Sequence, residues 1–175
     1  MNLQSSDFEL FGVAAQFAQD RNALDKRWKE LQREAHPDKF ASQGAAAQRV
    51  AMQWSVRINE AYQRLKDPLK RASYLCELHG APVRAESNTA MPAAFLMQQM
   101  TWREALDDAR SMAEIQSLQA ELKTAQAEAL NACEQFLDVQ HDYAAAVGQV
   151  RALMFIDRFG GDLDDRMDNL SHTAS

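Results

Sequence analysis

The apolar residues of this chain recur with a helical period in almost every segment between its few breaking residues. Leu24, Trp28, Leu31 and Ala35 fall at i, i+4, i+7 and i+11, which is one face of a helix. Val50, Trp54, Ile58, Ala61 and Leu65 form a second such stripe, and Ile115, Leu118, Leu122, Ala125, Ala129 and Phe136 a third. A strand buries alternate residues and cannot use that spacing. The chain has only 6 Gly and 4 Pro in 175 residues, too few for the turns of an all-β protein. With 46% hydrophobic and 25% charged residues it can build a sizeable soluble core. The fold class expected is therefore all-α.

The breaking residues divide the chain into seven helices. Ser6-Asp7-Phe8-Glu9 is a capping box that opens a short first helix, and Gly12 closes it. Asp20 caps a second helix over about 21–35, with Lys26, Lys29 and Arg33 opposite its apolar stripe. His36-Pro37-Asp38 ends that helix, because a residue before proline is pushed out of the α region. The third helix covers about 45–66. Asp67 and Pro68 supply the N-cap and first position of a fourth, which carries Leu69, Ala72 and Leu75 and stops at His79-Gly80. Residues 81–91 lack periodicity and read as a linker between domains 1–80 and 92–175. Pro92 opens a fifth helix, Ser111-Met112-Ala113-Glu114 is a capping box for a sixth, and a last one at about 140–159 uses Tyr143, Val147, Val150 and Met154. Gly160-Gly161 is expected to break it and leave the acidic tail loose. Three helices on short loops read as an up-down bundle.

Composition excludes several functions. The two cysteines, Cys76 and Cys133, are isolated. A four-thiolate zinc site or a cysteine-held iron–sulfur cluster within one chain is thus excluded, and free thiols in a reducing cytoplasm are expected. No run of about 18 apolar residues could span a membrane. Met1 to Asp7 does not read as a signal peptide. A net charge of −6 disfavours nucleic acid as a partner. The charge is also split. Residues 1–80 hold 12 basic and 10 acidic side chains, a net of +2, and residues 81–175 hold 7 and 15, a net of −8. Two halves of opposite sign point to two different partners.

His36-Pro37-Asp38 is the first candidate site. As a catalytic His/Asp pair it has no nucleophile placed beside it. As a metal site it offers two ligands, too few. As architecture it is a helix-ending turn, with Pro37 as breaker and Asp38 as cap. Its context sharpens the choice: a short helix precedes the hairpin, a basic face leads into the tripeptide, and Lys70-Arg71-Ala72 opens a short helix after it. This arrangement, over about residues 6–78, resembles the J-domain of J-protein co-chaperones. The resemblance implies that His36, Pro37 and Asp38 contact the ATPase domain of a DnaK-type chaperone and promote ATP hydrolysis there. It implies that Lys26, Lys29 and Arg33 meet an acidic surface, with Lys39, Lys70 and Arg71 extending the patch. Ala35 departs from the aromatic residue that J-domains usually carry before the histidine.

The fifth helix is two-faced. With Phe95 at 0°, Trp102 lies at about 340° and Leu106 at about 20°, and these make the core face. Leu96, Met97 and Met100, at about 100°, 200° and 140°, form a second apolar patch, continued by the carboxylates of Glu104 and Asp108. In a bundle each helix touches two neighbours, so part of this arc can also be core. An apolar patch that the core does not need, flanked by acid, reads as an interaction site, for which methionine is well suited. Phe155 lies off the core centre of the last helix in the same way. Phe95-Leu96-Met97-Gln98-Gln99-Met100, with Arg103-Glu104 and Leu106-Asp107, resembles the C-terminal domain of the HscB family, J-protein co-chaperones of iron–sulfur cluster assembly. His36 to Ser42, Ala72-Ser73-Tyr74-Leu75 and Leu78-His79-Gly80 fit that family too. The resemblance implies that Leu96, Met97, Met100, Glu104, Asp108 and Phe155 bind the iron–sulfur scaffold protein, with Thr101 replacing an expected carboxylate. It implies a co-chaperone that recruits a dedicated, HscA-like DnaK-type ATPase, delivers the scaffold to it, and holds no nucleotide, metal or other cofactor. A general J-protein with a different client is the alternative.

Overall fold

The computed structural model describes residues 2–84 and 91–173. Among these residues there is no strand. Seven α-helices follow in order: α1 (Asp7–Phe11), α2 (Arg21–Ala35), α3 (Ala45–Lys66), α4 (Pro68–Leu78), α5 (Ala93–Asp108), α6 (Met112–Glu134) and α7 (Tyr143–Thr173). A 3₁₀ segment, Pro37–Gln43, joins α2 to α3, and a π-turn, Gln135–Val139, follows α6. None of the described helices is long and apolar enough to cross a membrane. The chain divides into two compact units, Met1–Leu75 and Cys76–Ser175, with the division inside α4. Of the expected linker, residues 85–90 lie outside the described residues.

The first unit is a hairpin of α2 and α3 with α1 laid against it. Ser6 Oγ accepts from the Glu9 amide and Glu9 Oε2 from the Ser6 amide, so the capping box forms in both directions. Gly12 ends α1 at φ 66°, a left-handed conformation that favours glycine. Asp20 Oδ1 accepts from the amides of Asn22 and Ala23 and starts α2. Polar pairs help set the hairpin register: Trp28 Nε1 donates to Asn59 Oδ1 at 3.0 Å, and Gln32 exchanges two bonds with Ser55. Phe8, Phe11, Leu24, Leu31, Ile58, Tyr62, Leu65 and Leu75 are buried. Val50, placed by periodicity in the α3 stripe, is 52% exposed. The buried face passes through Ala51, Ile58 and Tyr62, and Val50 falls at its edge.

The core of the second unit includes buried side chains of all three helices: Trp102 and Leu106 of α5, Ile115, Leu118 and Leu122 of α6, and Phe155, Ile156, Phe159 and Leu163 of α7. Ser111 caps α6 by accepting from the Glu114 amide, but Glu114 reaches back one residue further than a capping box requires, to the Arg110 amide. The π-turn adds a residue to the last turn before the corner. Leu137 is therefore buried there, while Phe136, the residue that periodicity selects, is half-buried.

Three expectations fail in α7. It does not end near residue 159. It runs unbroken through Gly160-Gly161 to Thr173, so the tail is helix rather than loose chain. Two helical glycines cost about 1 kcal/mol each relative to alanine. Burial of Phe159 and Leu163, both at 0% exposure, offsets that, at about 1.5–3 kcal/mol per large apolar side chain. A Cβ on Gly160 would meet Leu122 Cδ2 at 3.5 Å, so α6 packs closely against the helix at that point.

Candidate interaction surfaces

Pro37 forces His36 into an extended conformation, φ −62° and ψ 129°, and that ends α2. The chain re-enters a helical turn at once. The His36 carbonyl accepts from the Lys39 amide at 3.0 Å, and the His36 ring Nδ1 accepts from the Asp38 amide at 3.2 Å. The Asp38 carboxylate lies 3.6 Å from the same Nδ1, and its side chain is 91% exposed. The tripeptide is thus a preformed turn closed by two local hydrogen bonds, with the Asp38 carboxylate left to solvent.

Lys26, Lys29 and Arg33 are exposed on α2, and so are Lys39 in the loop and Lys70 on α4. Arg71 is not part of that surface. It is 7% exposed, and its Nε donates to the Phe17 carbonyl at 2.6 Å and its Nη1 to the Leu65 carbonyl. Its guanidinium lies 5.0 Å from the centroid of the Phe17 ring. The loop before α2 and the end of α3 both leave carbonyls without helical partners, and a buried arginine satisfies one of each. Asp25, also on α2, is turned to α3, where the Tyr62 hydroxyl and then Arg21 hold its carboxyl below the usual range.

On α5 the two faces separate clearly. Trp102 and Leu106 are buried, and Trp102 Nε1 donates to Glu121 of α6. Leu96 is 36% exposed, Met100 66% and Met97 71%. Glu104 and Asp108 are exposed on the turns that follow. Thr101 turns its hydroxyl back onto the Met97 carbonyl at 3.2 Å, so it extends no polar group from the patch.

Phe155 does not belong to the exposed face. It is 6% exposed, lies 5.8 Å edge-on from Phe95, and stacks on Trp102 and Phe159. In the core cluster α7 meets both α5 and α6, so its buried arc is wider than one stripe and takes Phe155 in. Periodicity also passed over Arg103. Its guanidinium caps the Phe155 and Phe159 rings at 5.4 and 5.3 Å. The available signal was spacing: Arg103 is seven residues after Leu96 and shares its side of the helix.

Comparison with known proteins brings both surfaces into one frame. A family model described as the HSCB C-terminal oligomerisation domain matches residues 91–164. A co-chaperone protein HscB homolog of Bordetella petrii is 49% identical over 157 residues, covering 89% of this chain and 92% of the relative. One of Burkholderia thailandensis is 46% identical, covering 98% of this chain and 99% of its own. Among solved structures, the chaperone HscB of Vibrio cholerae superposes with a TM-score of 0.86 at 36% identity, over 94% of this chain and 99% of that one. The human co-chaperone protein HscB gives 0.86 at 26% identity, over 95% and 84%.

Proposed function

The chain belongs to the HscB family of co-chaperones, and on that premise we propose that it couples a DnaK-type, HscA-like ATPase to an iron–sulfur cluster scaffold protein in the cytoplasm. The first unit engages the ATPase through His36, Pro37 and Asp38, steered by Lys26, Lys29, Arg33, Lys39 and Lys70. The second unit carries the scaffold on Leu96, Met97 and Met100, with Glu104 and Asp108 at the acidic end. Binding both partners on one chain raises the concentration each experiences of the other. ATP hydrolysis then traps the scaffold on the chaperone and favours cluster transfer.

The observation that carries the reading is the exposure of Leu96, Met97 and Met100 on a helix whose opposite face is already buried. Together with an exposed His36-Pro37-Asp38 loop in a separate unit, it supports one chain with two docking surfaces. The test is the steady-state ATPase rate of the chaperone with scaffold and co-chaperone added singly and together. A joint stimulation well above either alone is expected. His36→Gln should remove the co-chaperone's share, with scaffold affinity and thermal midpoint unchanged. Stimulation indifferent to the scaffold would assign the second unit to another client.

A further inference from the structure

The part of α7 beyond Gly160-Gly161 reaches α5 at two points. Asp162 Oδ2 accepts from Arg103 Nη1 at 2.8 Å, in the middle of α5. Arg166 Nη2 donates at 3.1 Å to the carbonyl of Ala109, the C-cap of α5. That carbonyl belongs to a helix end, where intrahelical donors run out. Between the two bonds, Leu163 is fully buried in the shared core. The first half of α5 is held differently. An open groove of about 640 Å³ runs beside it, lined by Phe95, Gln98, Ala125 and Ala129 among others, and Phe95 there meets Phe155 of α7 edge-on at 5.8 Å. Trp102 and Leu106 seat α5 in the core, and with the groove open beside its first half the polar contacts at Arg103 and Ala109 add a further constraint on its rotation. Arg103 is within about 20° of Leu96 around the helix, so whatever fixes Arg103 fixes the direction of Leu96, with Met100 one turn away.

We infer that Asp162 and Arg166, acting on Arg103 and the Ala109 carbonyl, form a clasp that sets the rotation of α5 and so presents its Leu96–Met97–Met100 face to the partner. They are positioning residues for that surface. The inference rests on the scaffold-docking reading above.

The test is calorimetric titration of the full-length protein with purified scaffold protein, with thermal unfolding followed on the same samples. Asp162→Ala and Arg166→Ala should each weaken binding by about two- to fivefold, the range of one exposed ion pair or hydrogen bond, and together by about tenfold. Thermal midpoints should stay within about 2 °C of the parent. Asp162→Glu, which keeps the carboxylate, should bind as the parent does. ATPase stimulation measured without scaffold should not change. Leu96→Ser serves as the reference. If it loses affinity while both alanine variants bind like the parent, the clasp is wrong and the docking face stands. If affinity and thermal midpoint fall together and Asp162→Glu does not rescue them, the residues are architectural and the inference fails. If Leu96→Ser itself binds like the parent, the docking reading fails and the clasp with it.

Discussion

Asp7 is fully buried, and the charge around it is what makes that tolerable. Its oxygens accept from Arg64 Nε and Nη2 at 2.6 and 2.9 Å, and Arg57 Nη1 lies 2.8 Å away. Without the carboxylate Arg57 keeps its bonds to the Leu3 and Ser5 carbonyls and Arg64 can turn to water, so the loss is about 1.5–3 kcal/mol. Asp7→Ala should destabilise the first unit by that amount in urea unfolding, with the α5 surface still binding. The sequence showed Asp7 only as the second residue of a capping box. Its partners are 50 and 57 residues away, and no local pattern reports such a pairing. Arg71 was misread for the same reason, since its acceptors are backbone carbonyls that a sequence does not mark. The two thiols behave as their isolation predicts. Burial pushes Cys76 up to about 11, and burial together with the neighbouring Cys76 pushes Cys133 up to about 12. The fold therefore favours the neutral thiols. Their contribution to stability is complete below the ordinary value near 9 and is lost as pH rises from there toward 11–12, because the unfolded chain releases protons that the folded chain keeps. A thiol reagent near neutral pH should label neither cysteine in the native protein and both in concentrated guanidinium.

At the scale of elements, the boundaries that follow local chemistry were legible. Ser6, Gly12, Asp20, Pro37 and Pro68 each stand where a helix starts or stops. The failures came where tertiary packing overruled propensity. Gly160-Gly161 lowers helix propensity, yet Phe159 and Leu163 on either side are fully buried and hold α7 together. A Cβ on Gly161 would meet nothing within 4 Å, and its φ is not positive. Gly161→Ala should therefore raise stability by about 0.5–1 kcal/mol, read as a higher denaturant midpoint at unchanged slope. The π-turn at Gln135–Val139 is another such case. Nothing in Gln-Phe-Leu-Asp-Val announces an extra residue per turn, and that residue exchanges Phe136 for Leu137 in the core. The two-faced character of α5 was readable, because three exposed apolar residues on the wrong side of one helix are visible to a wheel. Phe155 was not, because the breadth of a buried arc depends on how many neighbours a helix has.

At the scale of the whole molecule, the two compact units agree with the charge split and with two unrelated motifs on one chain. The partners proposed for them rest on family resemblance. The His36 loop adds something that neither motif states. Two local hydrogen bonds close its backbone, and the His36 and Asp38 side chains are exposed. A substitution of the Asp38 side chain, 91% exposed, leaves folding almost untouched, since surface changes away from special features stay within about 0.5 kcal/mol. The defective protein would persist in the cell at normal abundance with its α5 face intact. On the proposed scaffold-docking function, it would go on occupying the scaffold while failing to hand it over. A lesion in this loop should therefore act dominantly, its inhibition rising with the ratio of variant to parent chains.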